Sequence, residues 1–324
     1  MNSHRFCIAP MLDCTDRHER YFLRLISKRA RLYTEMIHCG ALIHGDRDAF
    51  LRYHPSEHPL AIQLGGSDPE QLALCSRFAE EYAYDEVNLN LGCPSDRVQA
   101  GQFGACLMKD PGRVVECIRA MREACTIEVT VKCRIGVDDL DDYAWFAHFI
   151  ETLAQTGCQT FIIHARKAWL KGLSPKQNRS IPPLCYDRVF QLKQDFPHLK
   201  IIINGGITSL TQAQQLLLHT DGVMLGREVY SNPFLLAEVD QLIYGEAAVS
   251  RTRKDILESF YPYLEEQLAQ GTKLSAISRH LVGLFHQQPG ARHYRRYISE
   301  NAFKPGAGLN VLRQALSYIP DSHC

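Results

Sequence analysis

The chain has 324 residues, 45% hydrophobic and 22% charged, which is enough apolar surface to offset the ordering entropy of a core and excludes a disordered chain. No apolar run approaches the ~18–20 residues of a spanning helix, and the opening MNSHRFCIAPMLD has neither an apolar core nor a small-residue cleavage site, so no membrane span and no signal peptide are expected. Lys and Arg number 36 against 36 Asp and Glu, so any nucleic-acid partner must be met by a local basic patch and not by a global field.

Short apolar runs recur along the first 245 residues: FCIA (6–9), RLYTEM (31–36), LAIQL (60–64), EVNLN (86–90), EVTVK (128–132), TFIIH (160–164), KIIIN (200–204) and GVMLG (222–226). Most are apolar or β-branched on both faces, as strands of a buried parallel sheet are. Amphipathic stretches such as 69–83 and 142–157 lie between them, the second stopped by Gly157. Eight such units predict a closed (β/α)8 barrel over 1–245. An open doubly wound sheet is disfavoured by the count and by the lack of G-x-G-x-x-G after the first strand. From 246 to 324 the strands stop. Helices are expected over 253–271, 272–290 and 291–319, ended by Gly271, Gly290 and Gly306, forming a small all-helical second domain. The twelve cysteines include no C-x-x-C pair. They read as reduced thiols of a cytoplasmic protein, with no disulfide framework and no metal cage.

Two connections are too long for ordinary turns, 91–112 after the fourth strand and 165–185 after the sixth. Both emerge at the C-terminal face of the barrel, where active sites form. The strand ends there carry Pro10-Met11-Leu12, Gln63, Asn90 leading to Cys93, Lys132, His164, Asn204-Gly205-Gly206 and Gly226-Arg227. Loops are polar anyway, so one such position means little; the run of them marks a site. Glycines let backbone N–H groups approach a ligand, and helix starts after strands seven and eight favour anions, so Gly205, Gly206, Gly226 and Arg227 suggest a phosphate. A lysine closing a buried strand needs an anionic partner, which the pyrimidine edge of a reduced flavin supplies, and Gln63 suits that ring's imide edge.

VNLNLGCPSDRVQAGQFGA (87–105) resembles the signature of the tRNA-dihydrouridine synthases, with Asn90, Gly92, Cys93, Pro94, Val98, Gly104 and Ala105 at its positions. APML, VKCRIG, FIIHAR, INGGI and GVMLGR follow the family's order, and LKGLSPKQNRSIPPL (170–184) is similar to a loop of the A-type bacterial enzymes acting at tRNA positions 20 and 20a. The resemblance implies FMN as cofactor, NADPH as reductant and a D-loop uridine as substrate. It implies FMN contacts from Pro10, Met11, Leu12, Gln63, Lys132, His164, Asn204, Gly205, Gly206, Gly226 and Arg227. Hydride would pass from reduced FMN to carbon 6 of uracil and a proton from Cys93 to carbon 5. A thiol of ordinary pKa, ~8.5, holds that proton at neutral pH. Asn90 would orient the base, which must leave its stack to reach the barrel mouth.

Contacts to tRNA are expected from Arg292, Arg295 and Arg296 in GARHYRRYI, whose two tyrosines could stack on bases, and from Lys176, Arg179 and Arg97 on the long loops. No obligate protein partner is evident. Two other readings are a flavin barrel acting on a free pyrimidine, like dihydroorotate dehydrogenase, and a non-catalytic RNA-binding barrel. The first leaves the C-terminal basic cluster unexplained; the second requires a colourless protein.

Overall fold

The computed structural model describes residues 3–320, apart from the side chain of Arg97. Eight parallel strands form one sheet: β1 (Phe6–Ile8), β2 (Leu32–His38), β3 (Leu60–Gly65), β4 (Glu86–Asn90), β5 (Glu128–Arg134), β6 (Thr160–His164), β7 (Lys200–Asn204) and β8 (Gly222–Leu225). Their order is β1-β8-β7-β6-β5-β4-β3-β2. A bridge between Cys7 and Arg31 joins the two ends, so the sheet curls into the expected barrel. β2 and β5 outrun their expected ends. Lys132 and Arg134 alternate with the buried Cys133 and carry polar interior positions up into the mouth, beyond the last apolar residue.

Most of the outer helices start where the sequence supplies a cap. The main ones are α1 (Arg17–Ile26), α2 (Pro69–Glu81), α3 (Pro111–Ala124), α4 (Tyr143–Ala154), α5 (Tyr186–Asp195), α6 (Leu210–Leu216) and α7 (Val239–Tyr244). Asp16, Asp68, Asp110 and Asp142 accept first-turn N–H groups of α1 to α4, and Pro69 and Pro111 occupy first helical positions, where the missing N–H costs nothing. Gly157, at φ +87°, follows α4 in the left-handed region.

Inside the barrel Cys7, Ala9, Tyr33, Ala61, Ile162, Ile202 and Met224 form a compact apolar plug. Beside it stands a polar column from β3, β4 and β5, made of Gln63, Glu86, Asn88, Asn90 and Thr130, all buried.

Three further helices follow the barrel: α8 (Arg253–Ala269), α9 (Ala291–Asn301) and α10 (Leu309–Leu316). Thr252 and Asp255 form a capping box at the start of α8. The helix expected over 272–290 is a correction. Only Leu274–Ser278 is α-helical, and turns follow. Gly283 lies so close to the carbonyls of Tyr230 and Ser231 that a Cβ would sit 2.8 Å from each, and Gln287 has φ +59°. Docking on the barrel thus overrides local propensity. α8 packs on α1 through Tyr21 stacked on Tyr263 at 4.0 Å and Phe22 against Phe260 at 5.7 Å. Asp16 joins the two parts again by an ion pair to Arg279 at 2.7 Å and a hydrogen bond to His280 at 2.9 Å. No helix among the described residues is long and apolar enough to cross a membrane.

Candidate active site

The barrel mouth brings the strand-end residues together. Past β1, the Met11 N–H donates to Thr15 Oγ1 at 3.0 Å, and the Met11 side chain packs on the apolar plug. A Cβ on Gly226 would lie 3.1 Å from Met11 Sδ, so glycine there leaves the methionine its place. Leu12 is exposed at the rim. Gln63 is buried and bonded on both sides, by Asn88 and Asn90.

Lys132 is half-buried, and its Nζ donates to Asn204 Oδ1 at 3.2 Å. Asn204 is itself held by the Met224 carbonyl at 2.8 Å. Burial, with Arg134 adding to it, lowers the Lys132 ammonium to about 8. His164 packs on Gly205, whose Cβ would lie 2.7 Å from the ring. Burial and the cations Arg134, Lys132, Arg166 and Arg227 push the imidazole well below its usual range, so it stays neutral.

A helix start follows strand eight directly, at Arg227, but not strand seven. Gly205 and Gly206 do adopt φ +121° and +68°, but α6 begins only at Leu210, capped by Ser209. The helix at Arg227 has five residues, Arg227–Ser231. Side-chain cations supply the field instead. Among the described residues, Lys132, Arg134, Arg166 and Arg227 have no carboxylate partner. Arg166 Nε is buried with no hydrogen-bond partner. A cluster of cations with an unsatisfied buried donor suits an anionic, phosphate-bearing ligand.

Cys93 opens the loop after β4 and is half-buried. Its N–H donates to Asn90 Oδ1 at 3.0 Å and its carbonyl accepts from Ala105 N at 2.9 Å. Its sulfur lies 3.6 Å from Ser95 Oγ and close enough to Lys132 and Arg134 to act on both. Gly104, at φ +71°, closes the loop. A Cβ there would meet Val98 Cγ1 at 2.4 Å and the Cys93 carbonyl oxygen at 2.6 Å, so only glycine fits against the cysteine backbone.

The family model described as dihydrouridine synthase matches residues 7–319. The chain belongs to the dihydrouridine synthase family. It is similar to the tRNA-dihydrouridine(20/20a) synthase of Vibrio parahaemolyticus, 58% identical over 98% of both chains. Similar too are those of Shewanella oneidensis, 59% identical over 97% of this chain and 93% of that one, and of Escherichia coli strain K12, 58% identical over 98% and 92%. As a dihydrouridine synthase the chain is an oxidoreductase, which removes the non-catalytic reading.

Three residues of this dihydrouridine synthase mouth escaped the sequence reading. Arg134, past the expected end of β5, is buried and donates to the carbonyls of Gly92 at 2.8 Å, Lys167 at 3.0 Å and Asn178 at 3.0 Å, stapling both long loops to β5. Arg166 follows His164 in FIIHAR and was legible as a third cation. Asn178 is fully buried; its amide bonds the N–H and carbonyl of Trp169 at 2.8 and 2.9 Å and so folds 165–185 into an ordered loop. Gln99 ties the two loops, donating to Pro94 O at 2.8 Å and Leu170 O at 2.7 Å.

Of the expected RNA-facing residues, Arg179 borders this cluster: its carbonyl accepts from Arg227 Nη2 at 3.4 Å, and its charge acts on Arg134. Lys176 and Arg179 are exposed on loop 165–185, and Arg97 lies on the short helix Asp96–Ala100 with its side chain outside the described residues. Arg292, Arg295 and Arg296 are exposed on one face of α9, with Arg296 paired to Glu300 at 2.7 Å. Stacking by both tyrosines of this segment is overturned. Tyr294 is fully buried against Phe285, because it lies on the core face of α9, opposite the face that carries Arg292, Arg295 and Arg296.

Proposed function

We propose that the protein reduces the 5,6 double bond of uridines at positions 20 and 20a of the tRNA D-loop, with bound FMN as cofactor and NADPH as reductant. The observation that carries this reading is a half-buried Cys93 beside a barrel mouth whose four cations lack a carboxylate. The relatives' name supports the substrate and the positions.

FMN would be held by Pro10, Met11, Leu12 and Gln63 on one side and by Lys132, His164, Asn204, Gly205, Gly206, Gly226 and Arg227 on the other, with Arg166 offering its unsatisfied Nε to the phosphate. Bound FMN supplies the hydride that adds at carbon 6 of the uracil. The chain supplies the proton at carbon 5, from the Cys93 thiol, whose backbone Asn90 and Ala105 hold in place. Lys132, fixed by Asn204, gives a cation to the negative charge that develops at the mouth. His164, neutral, contributes a hydrogen bond without adding a fifth positive charge. Arg134 holds the Cys93 loop to β5 through the Gly92 carbonyl.

The helical part, 246–324, would hold tRNA through Arg292, Arg295 and Arg296, with Arg97, Lys176 and Arg179 nearer the mouth. A cytoplasmic location without an obligate protein partner fits this role. The test is nucleoside mass spectrometry of tRNA from a strain lacking the protein, before and after its addition with NADPH. Dihydrouridine restored at 20 and 20a is expected. Restoration at other positions, or activity on free uracil derivatives alone, overturns the substrate assignment. In the same assay Cys93→Ala should keep its yellow flavin and its reduction by NADPH while losing tRNA reduction.

A further inference from the structure

The polar column inside the barrel is a single directed chain of hydrogen bonds. At the floor, Glu86 Oε2 accepts from Arg31 Nη1 at 2.9 Å and His4 Nε2 at 2.8 Å. Its Oε1 accepts from Tyr33 OH at 2.8 Å and Thr130 Oγ1 at 2.5 Å. Burial acts to raise the Glu86 carboxyl, but Arg31 and the donors from His4 and Thr130 override it and hold it at about 2, so it is ionised and can only accept. The single Thr130 proton therefore points down to Glu86, and Thr130 Oγ1 can only accept from the next group up, Asn88 Nδ2 at 2.7 Å. Asn88 Oδ1 must then face Gln63 Nε2, at 2.8 Å. Gln63 Oε1 must face Asn90 Nδ2, at 2.8 Å. Asn90 Oδ1 accepts from Gly92 N at 3.1 Å and Cys93 N at 3.0 Å.

The upper end imposes the same polarity independently, since backbone N–H groups can only donate. Every amide in the chain is thus oriented from both ends, and none is free to flip. What the upper end of the chain leaves over is one N–H on each of Gln63 and Asn90, with a second lone pair on Gln63 Oε1.

We propose that Glu86, acting through Thr130 and Asn88, is a positioning residue for uridine reduction: it anchors from below the Gln63 and Asn90 amides that backbone N–H groups orient from above, and so holds both amides and the Cys93 backbone in place. This rests on the thiol-and-flavin reading of the mouth. Glu86 and Thr130 touch no ligand; their effect travels through three amides. The chain's polarity makes the mouth a hydrogen-bond donor toward ligand carbonyls. Loss of the Thr130 acceptor would leave Asn88 Nδ2 unpaired and free the chain at its lower end, so that the Gln63 and Asn90 amides are held from above alone.

The test compares Thr130→Val, Thr130→Ala and Thr130→Ser in the full-length flavin-loaded protein. Val keeps the shape and removes the hydroxyl. Ser keeps the hydroxyl and removes the methyl. Ser and Ala differ by one oxygen, so that pair decides the question if Val does not fold. Expected are a kcat for tRNA reduction at least ~10-fold lower in Val and Ala with KM within about twofold, a shifted flavin absorption band, and near-normal kcat in Ser. A packing role predicts the reverse order, with Ser impaired and Val active, and overturns the proposal, as does unchanged kcat in both Val and Ala. If instead Cys93→Ala still reduces tRNA or the wild-type protein binds no flavin, the reading of the mouth has failed and not the chain of amides.

Discussion

Lys132 is a cation that the fold holds at a cost. Its ammonium titrates near 8 in the folded protein against 10.5 in the unfolded chain. Between those values the unfolded chain binds the proton that the folded protein sheds, so stability rises with pH through that window, and the full penalty, up to about 3 kcal/mol, applies below pH 8. Lys132→Met should therefore raise the thermal midpoint of the flavin-stripped protein by a few degrees at pH 7, with the gain shrinking toward pH 10.5, while abolishing tRNA reduction. Thermal denaturation at the two pH values checks the sign; a lower midpoint at pH 7 would show that Lys132 is compensated in the barrel. Gly104 is constrained by backbone and not by charge. Gly104→Ala puts a methyl group into Val98 and the Cys93 carbonyl at a left-handed φ. It should cost roughly 1–3 kcal/mol locally. The expected result is a kcat at least ~10-fold lower with flavin content unchanged, measured by turnover and absorbance.

Among the elements, loop 165–185 depends most on one side chain. Asn178→Ala would strand the Trp169 N–H and carbonyl and loosen the turn that presents the Asn178 backbone carbonyl to Arg134, a loss of roughly 2–3 kcal/mol confined to the loop. Faster amide exchange and protease cleavage within 165–185 are expected, at an unchanged global midpoint. Protection equal to wild type would mean that Arg134 alone organises the loop. This loop also marks where sequence reading reaches its end. The strands were legible because apolar residues on both faces leave few other assignments, and Cys93 and Lys132 because each follows such a strand. The alternation Glu86, Asn88, Asn90 was visible too, yet its partners Gln63 and Thr130 lie on β3 and β5 and Arg31 just ahead of β2, and pairing across a barrel depends on register. Asn178 was hidden because its partners are backbone atoms, which every residue has. The segment 279–290 has helix-forming residues but turns because the barrel backbone crowds Gly283.

At the scale of the whole molecule, charge is arranged and not accumulated, since the chain is formally neutral. Replacing Arg295 and Arg296 together by Ala should weaken tRNA binding and flatten the log–log salt dependence by about one to two units, with flavin content and NADPH oxidation unchanged. Unchanged affinity and slope would move the RNA surface to the loop with Lys176 and Arg179. The junction between barrel and C-terminal helices has its own titration. Burial pushes His18, bonded to Tyr263 OH at 2.8 Å, down to about 4 despite Asp16 nearby. Its folded value lies below the unfolded 6.5, so the stability it confers is lost as pH falls from 6.5 to 4. In His18→Gln the drop in thermal midpoint over that interval should be smaller than in the wild type; an equal drop would assign it to other groups. That junction also bears on the barrel as a hoop. Seven neighbouring strand pairs are laced by ladders, whereas β1 and β2 are joined by the single bridge at Cys7 and Arg31. α1 spans that seam, and the C-terminal helices press on α1 through Tyr263 and Phe260. They act as a clasp across the weakest joint of the hoop, so a part that would serve to grip RNA also keeps the barrel from springing open where it has least lacing.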